Sequence, residues 1–528
     1  MFRPLVALLV LASLLTAPAV ATTAADGAND ADSRITAVYP DPVARGDAGE
    51  FVLLRLPPNE TVTLTDGETS VTVTVARGGR VAVTAHPRRV RNLTGYRTVA
   101  ADRLRLANGG ERLHLRRDGG TLDAVAYETA TESEVRWFDG RGWRPLGATD
   151  FPVRSTGPAN ATAFVLPDTP GVVRETIRGA NRRVLVGAYT FTDPTVARLL
   201  ERAARRGVTV RVLLEGGPVG GFSRRQARIL DGLVAAGVDV RVLAGPRARY
   251  RFHHAKYAVV DNRALVLTEN WKPAGTGGNA SRGWGVRIDD ADAASALAAT
   301  FRADAGWRDA RPWRAVRRTR TFESAPAANG TYPSKVAAET HRVSNASVLV
   351  APDNAEDALV SLVDGADDSV SVVGPYAGAD GPFVRALVRA AKRGVRVRLL
   401  LSGAWYVAPE NRDLVDRISE LARRDDLPFR ARIADPRGRF EKVHAKGMVV
   451  DGDTVVVGSV NWNAHSPRRN REVAVVLEGR AVADYYGRVF QADWRGAAWS
   501  FPVELVAVVA LAVLVAVRAI GVRFRPSS

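Results

Sequence analysis

Residues 254–261 read HAKYAVVD and residues 444–451 read HAKGMVVD, so the chain carries the pattern His-x-Lys-x4-Asp twice. The whole chain has seven histidines and six lysines, which makes this repetition hard to reach by chance. An imidazole can attack phosphorus or pass a proton near neutral pH, and an ammonium group holds phosphate charge. Two such sets that face each other predict a site for phosphodiester chemistry.

Each copy of the pattern supplies a histidine, a lysine and an aspartate: His254, Lys256 and Asp261 in the first, and His444, Lys446 and Asp451 in the second. Residues two apart in an extended strand point to the same face, so the histidine and lysine of one copy reach one phosphate together. Each aspartate follows where the chain turns. By the convention of the motif both aspartates are assigned to the catalytic set, although we expect each to hold that turn rather than to touch substrate.

The two copies lie in a duplicated region. AARRGVTVRVLLEG at 203–216 matches AAKRGVRVRLLLSG at 390–403, and both halves alternate strand, helix and strand. This alternation predicts α/β units with a mostly parallel sheet between helices, an α-β-α sandwich. We place the units at 164–312 and 345–498, with a polar, irregular linker at 313–344 and the active site between the units.

Residues 33–150 have a different rhythm. Short runs of alternating apolar residues are separated by Gly, Asn, Asp and Pro, which predicts a β-sandwich. The stretches AVYPDPVARGDAGEFVLLRL at 37–56 and LRLANGGERLHLRRDGGTLDAVAYE at 104–128 resemble the lamin-tail domain, an immunoglobulin-like sandwich. The resemblance implies a binding or spacer module and identifies no catalytic residue.

The two ends of the chain predict membrane targeting. Arg3, an apolar run and an Ala-x-Ala site at 19–21 indicate a signal peptide over 1–21. The apolar run from Leu505 to Val517 predicts one transmembrane helix at 501–522, with the arginines after it on the cytoplasmic side. We therefore expect a single-pass membrane protein with the bulk of the chain extracytoplasmic and its C-terminus in the cytoplasm.

Composition narrows the chemistry and the partners. The chain has no cysteine, which excludes disulfides and cysteine-ligated zinc or iron–sulfur sites. The net charge of +18 favours polyanions such as nucleic acid or anionic lipid head groups. The cations are spread along the chain, so a general bias toward arginine explains the same sum.

Beyond the second motif, Gly458, Ser459 and Asn461 follow the next strand, and Glu472 comes 28 residues after His444. The doubled motif, this Gly-Ser-x-Asn and the later Glu resemble the phospholipase D superfamily over about 330 residues. The resemblance implies one motif from each half, with the site on the seam between them. It also implies that no metal or other cofactor is used.

The resemblance implies roles as well. One histidine attacks phosphorus and forms a phosphohistidine, and the other protonates the leaving oxygen and then activates water or an alcohol. We expect His254 to be the nucleophile and His444 the acid. The lysines, Asn270, Ser459 and Asn461 bind the phosphate oxygens, and Glu472 orients a histidine.

The first half departs from this pattern. Leu267 stands where the second half has Gly458, and we expect the larger side chain to leave less room for close approach of the backbone. Gly283 stands where the second half has Glu472, which predicts that no carboxylate of that position orients His254. Glu269 is the candidate replacement.

Two functions follow from these observations. The first is a membrane-tethered phosphodiesterase that acts on phospholipid or DNA outside the cell. The second is a catalytically impaired surface protein that binds polyanions, because the first half lacks the carboxylate. The sequence leaves the substrate open between lipid and nucleic acid.

Overall fold

The computed structural model describes residues 33–42, 44–244 and 248–496. The predicted signal peptide at 1–21 and the predicted transmembrane helix at 501–522 lie outside the described residues. Within those ranges, no helix is both long enough and apolar enough to cross a bilayer. The chain divides into two compact units between Leu146 and Gly147.

In its described residues, the first unit contains one α-helix, α1 (Pro87–Thr94), and ten strands. These strands are β1 (Arg34–Tyr39), β2 (Phe51–Leu56), β3 (Glu60–Thr65), β4 (Ser70–Val75), β5 (Gly79–Thr84), β6 (Arg97–Ala100), β7 (Glu111–Arg117), β8 (Gly120–Tyr127), β9 (Glu134–Trp137) and β10 (Gly142–Pro145). They form a six-stranded sheet, β10-β9-β1-β2-β5-β6, and a four-stranded sheet, β4-β3-β7-β8. Apolar side chains of both sheets share one buried cluster. The likeness to a lamin-tail domain stays a prediction.

Across the described part of the first half of the second unit there are nine strands and five helices. Its strands are β11 (Arg154–Ser155), β12 (Ala159–Leu166), β13 (Arg183–Ala188), β14 (Thr209–Glu215), β15 (Asp239–Leu243), β16 (Tyr257–Val260), β17 (Arg263–Leu267), β18 (Ser281–Asp289) and β19 (Ala310–Pro312). Its helices are α2 (Gly171–Arg178), α3 (Pro194–Arg205), α4 (Arg224–Ala235), α5 (Ala291–Gly306) and α6 (Trp313–Arg317).

The second half repeats this order. Its strands are β20 (Glu339–Val343), β21 (Asn345–Ala351), β22 (Ser369–Gly374), β23 (Arg396–Leu401), β24 (Phe429–Ile433), β25 (Lys442–Val443), β26 (Gly447–Val450), β27 (Thr454–Gly458) and β28 (Glu472–Glu478). Its helices are α7 (Ala355–Asp364), α8 (Pro382–Lys392), α9 (Ala408–Arg424), α10 (His465–Arg469) and α11 (Arg480–Arg495).

Both large sheets are mixed, so the prediction of mostly parallel sheets was wrong. In the second half the order is β11-β21-β28-β27-β26-β22-β23-β24, and only β22-β23 and β23-β24 pair in parallel. The first half is arranged in the same way around β13-β14-β15. The βαβ rhythm correctly indicated the parallel strands. The strand after each His-x-Lys pair, however, opens an antiparallel meander that the rhythm does not show.

The segment between the halves also differs from the predicted irregular linker. Its strand β20 pairs with β12 of the first half, from Ala159↔Val343 to Ala163↔Glu339. In exchange, the short strand β11 pairs with β21 of the second half. The two halves are therefore joined by shared sheet edges, and they form one compact unit.

Three buried clusters give this unit its layers. Helices α2, α3 and α4 pack on the outer face of the first sheet, and α7, α8 and α9 pack on the outer face of the second. Between the sheets, α5 and α11 contribute to a central cluster built from both halves. The helix starts agree with local chemistry: Asp193 caps α3 by accepting the N–H groups of Thr195 and Val196, and Pro194 occupies the first turn.

Candidate active site

Each His-x-Lys segment crosses from its own half to the other. The N–H of His254 donates to the carbonyl of Arg471 at 2.9 Å, and the N–H of His444 donates to the carbonyl of Arg282 at the same distance. Strand β25, which ends just before His444, pairs in parallel with the start of β18. Because each histidine is hydrogen-bonded to the opposite half, neither half builds the site alone.

The two arginines that receive these histidines are buried in ion pairs. Arg471 lies 3.0 Å from Asp304, at the end of α5, and is fully enclosed. Arg282 lies 2.6 Å from Asp168 and 3.0 Å from Asp493 of α11. A buried guanidinium needs such partners, and a bidentate acceptor fixes its orientation. These networks fix the backbone against which the histidines are hydrogen-bonded.

Each imidazole meets a carboxylate that also comes from the opposite half. His254 Nδ1 lies 2.9 Å from both oxygens of Glu472. His444 Nδ1 lies 3.2 Å from Glu269 Oε2. Both carboxylates are fully buried. The predicted histidine-orienting role of Glu472 therefore has a geometric basis, and the histidine it contacts is the one in the first half.

The expectation that His254 lacks an orienting carboxylate was wrong. In an alignment of the two halves, Gly283 corresponds to Glu472. Because each carboxylate contacts the histidine of the opposite half, a side chain at position 283 would contact His444 and not His254. Glu269 serves His444 instead, from the end of the neighbouring strand. A Cβ atom at Gly283 would lie 2.2 Å from Glu269 Cγ, so the missing side chain leaves the space that Glu269 fills.

The protonation states follow from burial and charge. Burial lowers the pKa of His254 to about 4, against the opposing charge of Glu472. Burial and the charge of Lys446 lower the pKa of His444 to about 3, against Glu269. Burial alone would raise the pKa of Glu472, but contact with His254 and the charge of Lys256 lower it to about 2. Near neutral pH both imidazoles are therefore neutral, and His254 donates Nδ1–H to Glu472. His444 lies 3.2 Å from Glu269 through Nδ1, and its Nε2 lies 3.5 Å from Lys446 Nζ.

The lysines and asparagines surround this pair. Lys256 Nζ and Lys446 Nζ each donate to the carbonyl of the histidine two residues earlier, at 2.5 and 2.7 Å. Burial lowers the pKa of Lys446 to about 8, against Glu269 and Glu472. Within the described residues, the side-chain amides of Asn270 and Asn461 make no hydrogen bond, and each Oδ1 is buried. Both amides are therefore free to bind an incoming oxyanion.

Ser459 is arranged differently from the other predicted phosphate ligands. It is fully buried, and its hydroxyl pairs with both the N–H and the carbonyl of Val473. Thr268 accepts the N–H of Trp284 in the same way in the first half. These hydroxyls join neighbouring strands beside the carboxylates. Leu267 also lies away from the imidazoles, within the outer core of the first half.

The motif aspartates lie at the far ends of strands β16 and β26. Asp261 accepts the backbone N–H groups of Asn181, Arg182 and Arg183 at 2.8 to 3.0 Å. Asp451 accepts three backbone N–H groups at 367–369 in the same arrangement. Both have left-handed backbones, with φ of 55° and 50°. The structure does not bring these aspartates to the imidazoles, and their expected role in holding the turn stays a prediction.

Asparagine at position 261 is expected to lower stability without a matching loss of chemistry. Its amide N–H atoms would oppose the backbone donors, at a cost of about 1–3 kcal/mol near neutral pH. Backbone donors lower the pKa of Asp261 although burial raises it. The contribution is therefore full above the unfolded pKa of about 3.9 and is lost as pH falls through the folded value. Thermal midpoints of the parent and Asp261→Asn should converge in acid; a large loss of turnover at an unchanged midpoint would argue against this role.

Sequence reasoning missed two residues near the histidines. The ring of Tyr189 lies 4.7 Å from the ring of His254, centre to centre. Lys272 follows the Asn270-Trp271 pair, and its charge acts on Glu269, His444 and Lys446. The second half has Asn463 at the position of Lys272, so this third lysine belongs to one half only. The sequence signal for Lys272 was the difference between ENWK at 269–272 and VNWN at 460–463.

Comparison with family models finds one match in each half of the chain. The family model described as "Cardiolipin synthase, PLD-like domain" matches residues 173–305 and 359–494, together more than half of the chain. The chain belongs to the phospholipase D-like family. Both repeats of the family domain contain one His-x-Lys segment. The duplication that the sequence predicted is therefore confirmed, and the lamin-tail resemblance is not tested by this match.

Individual relatives match over part of their length. A phospholipase D of Rickettsia felis is 27% identical over 24% of this chain and 58% of its own. A mitochondrial cardiolipin hydrolase of Xenopus tropicalis is 29% identical over 21% of this chain and 49% of its own. The chain thus spans about half the length of these relatives. A crystal structure of phosphatidylserine synthase from Haemophilus influenzae aligns with a TM-score of 0.49 at 15% identity, covering 64% of this chain and 88% of that one.

Proposed function

We propose that this phospholipase D-like protein cleaves phosphodiesters through a phosphohistidine on His254. The observation that carries the proposal is the pair of imidazoles, each held by a carboxylate from the opposite half, with buried lysines beside them. Nucleophile, acid and cations then meet around one phosphorus atom. A covalent intermediate divides one difficult displacement into two easier ones.

In the first step, the Nε2 lone pair of His254 forms a bond to phosphorus, and the bond from phosphorus to the leaving oxygen breaks. The leaving oxygen takes a proton from Nε2 of His444, which is neutral in the free protein and takes up this proton when the anionic substrate adds its charge to that of Glu269. In the second step, His444 takes a proton from water, whose oxygen attacks phosphorus and frees His254. The lysines and the amides of Asn270 and Asn461 stabilise the equatorial oxygens.

Two observations favour a phospholipid as the substrate. The relatives described above are named for phospholipid chemistry. The two most exposed large apolar side chains of the described residues, Val219 at 81% and Trp405 at 86%, lie on matching loops after β14 and β23. An exposed tryptophan suits a membrane interface, and the matching loop presents an aliphatic valine rather than a second aromatic ring on which a base could stack.

Both loops border the entrance to the site. The N–H of Val219 donates to the hydroxyl of Tyr189 at 2.7 Å, and the ring of Tyr189 packs against His254. In the other loop, Tyr406 lies 5.5 Å from Lys442, two residues before His444. We infer that these loops contact the lipid surface while a head group enters between them. The extracytoplasmic location proposed from the chain ends is compatible with such a substrate.

Turnover of bis-p-nitrophenyl phosphate in the presence of EDTA tests the chemistry. We expect hydrolysis by the parent, because no step of the proposed reaction uses a metal. Release of choline from phosphatidylcholine vesicles, compared with nicking of plasmid DNA, tests the substrate. Preferred nicking would favour the nucleic-acid alternative. Binding of polyanions without turnover of any of these substrates would support the impaired binding protein instead.

A further inference from the structure

The two halves differ in the charges on the inner face of their parallel strands. In the first half, Arg211 on β14 lies opposite Asp239 on β15. Asp239 lies 2.9 Å from Arg211 and 3.4 Å from Arg241, so one carboxylate neutralises two arginines. Arg211 also stacks over Phe301 of α5. This arrangement is what a charged cross-strand pair ordinarily needs.

The second half has an arginine where the first has that carboxylate. Arg398, the counterpart of Arg211, lies opposite Arg430, and Arg432 follows two residues later. Phe429 and Ala431 point to the outer core, so the arginines between and after them share the inner face. Like charges placed directly opposite each other destabilise a sheet. The second half therefore carries an unfavourable arrangement that the first half avoids.

Arg398 lines a surface cavity of about 510 Å³ together with Arg488 and Arg495 from α11. An adjoining cavity of about 430 Å³ is lined by Arg396, Arg398 and Arg430. We call the two together the arginine cavity. Asp484 is the carboxylate that also lines it.

Two of the five arginines that line the arginine cavity are paired with carboxylates outside it. Arg396 pairs with Asp368, and Arg488 pairs with Glu339, both at 2.7 Å. Among the described residues, no ion pair joins Arg398, Arg430 or Arg495 to a carboxylate. The guanidinium of Arg398 is half-buried, donates to Ser371 and Gln491, and stacks 5.1 Å from Phe490. It is thus held in place with one side turned to the cavity.

The arginine cavity is separate from the candidate active site. Ser369, in its lining, begins β22, whereas Val373 near the end of that strand pairs with Gly447, next to Lys446. Four residues of extended strand separate the two by about 13 Å. The cavity lies toward the Asp451 end of the sheet, and its chemistry does not depend on the histidines.

We propose that the arginine cavity binds phosphate groups. Guanidinium groups bind phosphate oxygens in a planar, bidentate geometry. Several guanidinium groups around one concave site repel each other, and an anion bound between them relieves this repulsion. The phosphate comes either from free phosphate or from an anionic lipid head group, which present the same oxygens. In the described residues of the first half, Asp239 already neutralises the equivalent arginines.

Arg430→Asp tests the proposal, because it copies the arrangement of the first half. Binding of inorganic phosphate is measured by calorimetry at constant ionic strength, and binding to phosphatidylcholine vesicles is compared with and without phosphatidylglycerol. We expect Arg430→Asp to weaken binding by about tenfold or more. Without phosphate, its thermal midpoint should exceed that of the parent, because the introduced carboxylate would pair with Arg398 as Asp239 pairs with Arg211.

Two further variants make the result specific. Arg417→Asp makes the same charge change on α9, which packs on the outer face of the sheet, and should bind as the parent does. Lys446→Met removes a lysine of the active site and should leave phosphate binding at the arginine cavity intact. Equal binding by the parent and Arg430→Asp in both arms would overturn the proposal. An equal loss in Arg417→Asp would also overturn it, because general charge would then explain the binding.

Discussion

Alanine at His254 is expected to abolish phosphodiester turnover, whereas alanine at His444 is expected to leave a trapped intermediate. Removal of the nucleophile should lower kcat by on the order of 10⁴-fold or more, since residues that act as one unit are not replaced by water. Removal of the acid should cost about 10²–10⁴-fold on an alkyl ester and less on p-nitrophenyl esters, whose leaving group needs little protonation.

The distinction between the two variants is measured on the protein itself. Without His444 to activate water, phosphorylated His254 should accumulate. Mass spectrometry of a proteolytic digest prepared without acid should locate the phosphate. His465→Ala is the matched control, because that histidine is exposed in the same half and is expected to behave as the parent. Phosphate found on His444 in the His254→Ala protein would reverse the two roles.

Much of this site could be predicted from the sequence because its spacing is short. His-x-Lys is a local pattern, and duplication placed one copy in each half. The histidines, the lysines and the family followed from a few residues that share one segment. The mixed sheets could not be predicted in the same way. The pairing of strands β16 to β18 depends on the tertiary structure, and no local sequence pattern indicates their direction.

The partner of each histidine could not be read from the sequence for a related reason. Comparing the halves position by position assumes that each half orients its own histidine. The structure instead hydrogen-bonds His254 to Arg471 and His444 to Arg282, so each carboxylate serves the other half. Glu269 was noticed as a replacement, but for the wrong histidine. Only the contacts between the halves in the folded chain reveal that His444 is the histidine whose partner would come from position 283.

The second large effect concerns Glu269 and Gly283, which together act as a displaced copy of Glu472. The second half has Val460 at the position of Glu269, so Glu269→Val transfers its side chain to the first half. Without the carboxylate, His444 loses the acceptor that fixes its tautomer and stabilises its protonated form. We expect a fall in kcat of about 10²–10⁴-fold, with a smaller change in KM.

The reciprocal exchange separates orientation from simple damage. Gly283→Glu alone should destabilise the protein, because its Cβ would lie 2.2 Å from Glu269 Cγ and a second carboxylate would be buried there. Glu269→Val/Gly283→Glu recreates the buried pair of Val460 and Glu472 that the second half holds at these positions, and the backbone of Gly283 needs no positive φ. The double variant should therefore recover most of kcat and the parent's pH profile. If it folds with a normal thermal midpoint yet stays as slow as Glu269→Val, then Glu269 does more than orient His444.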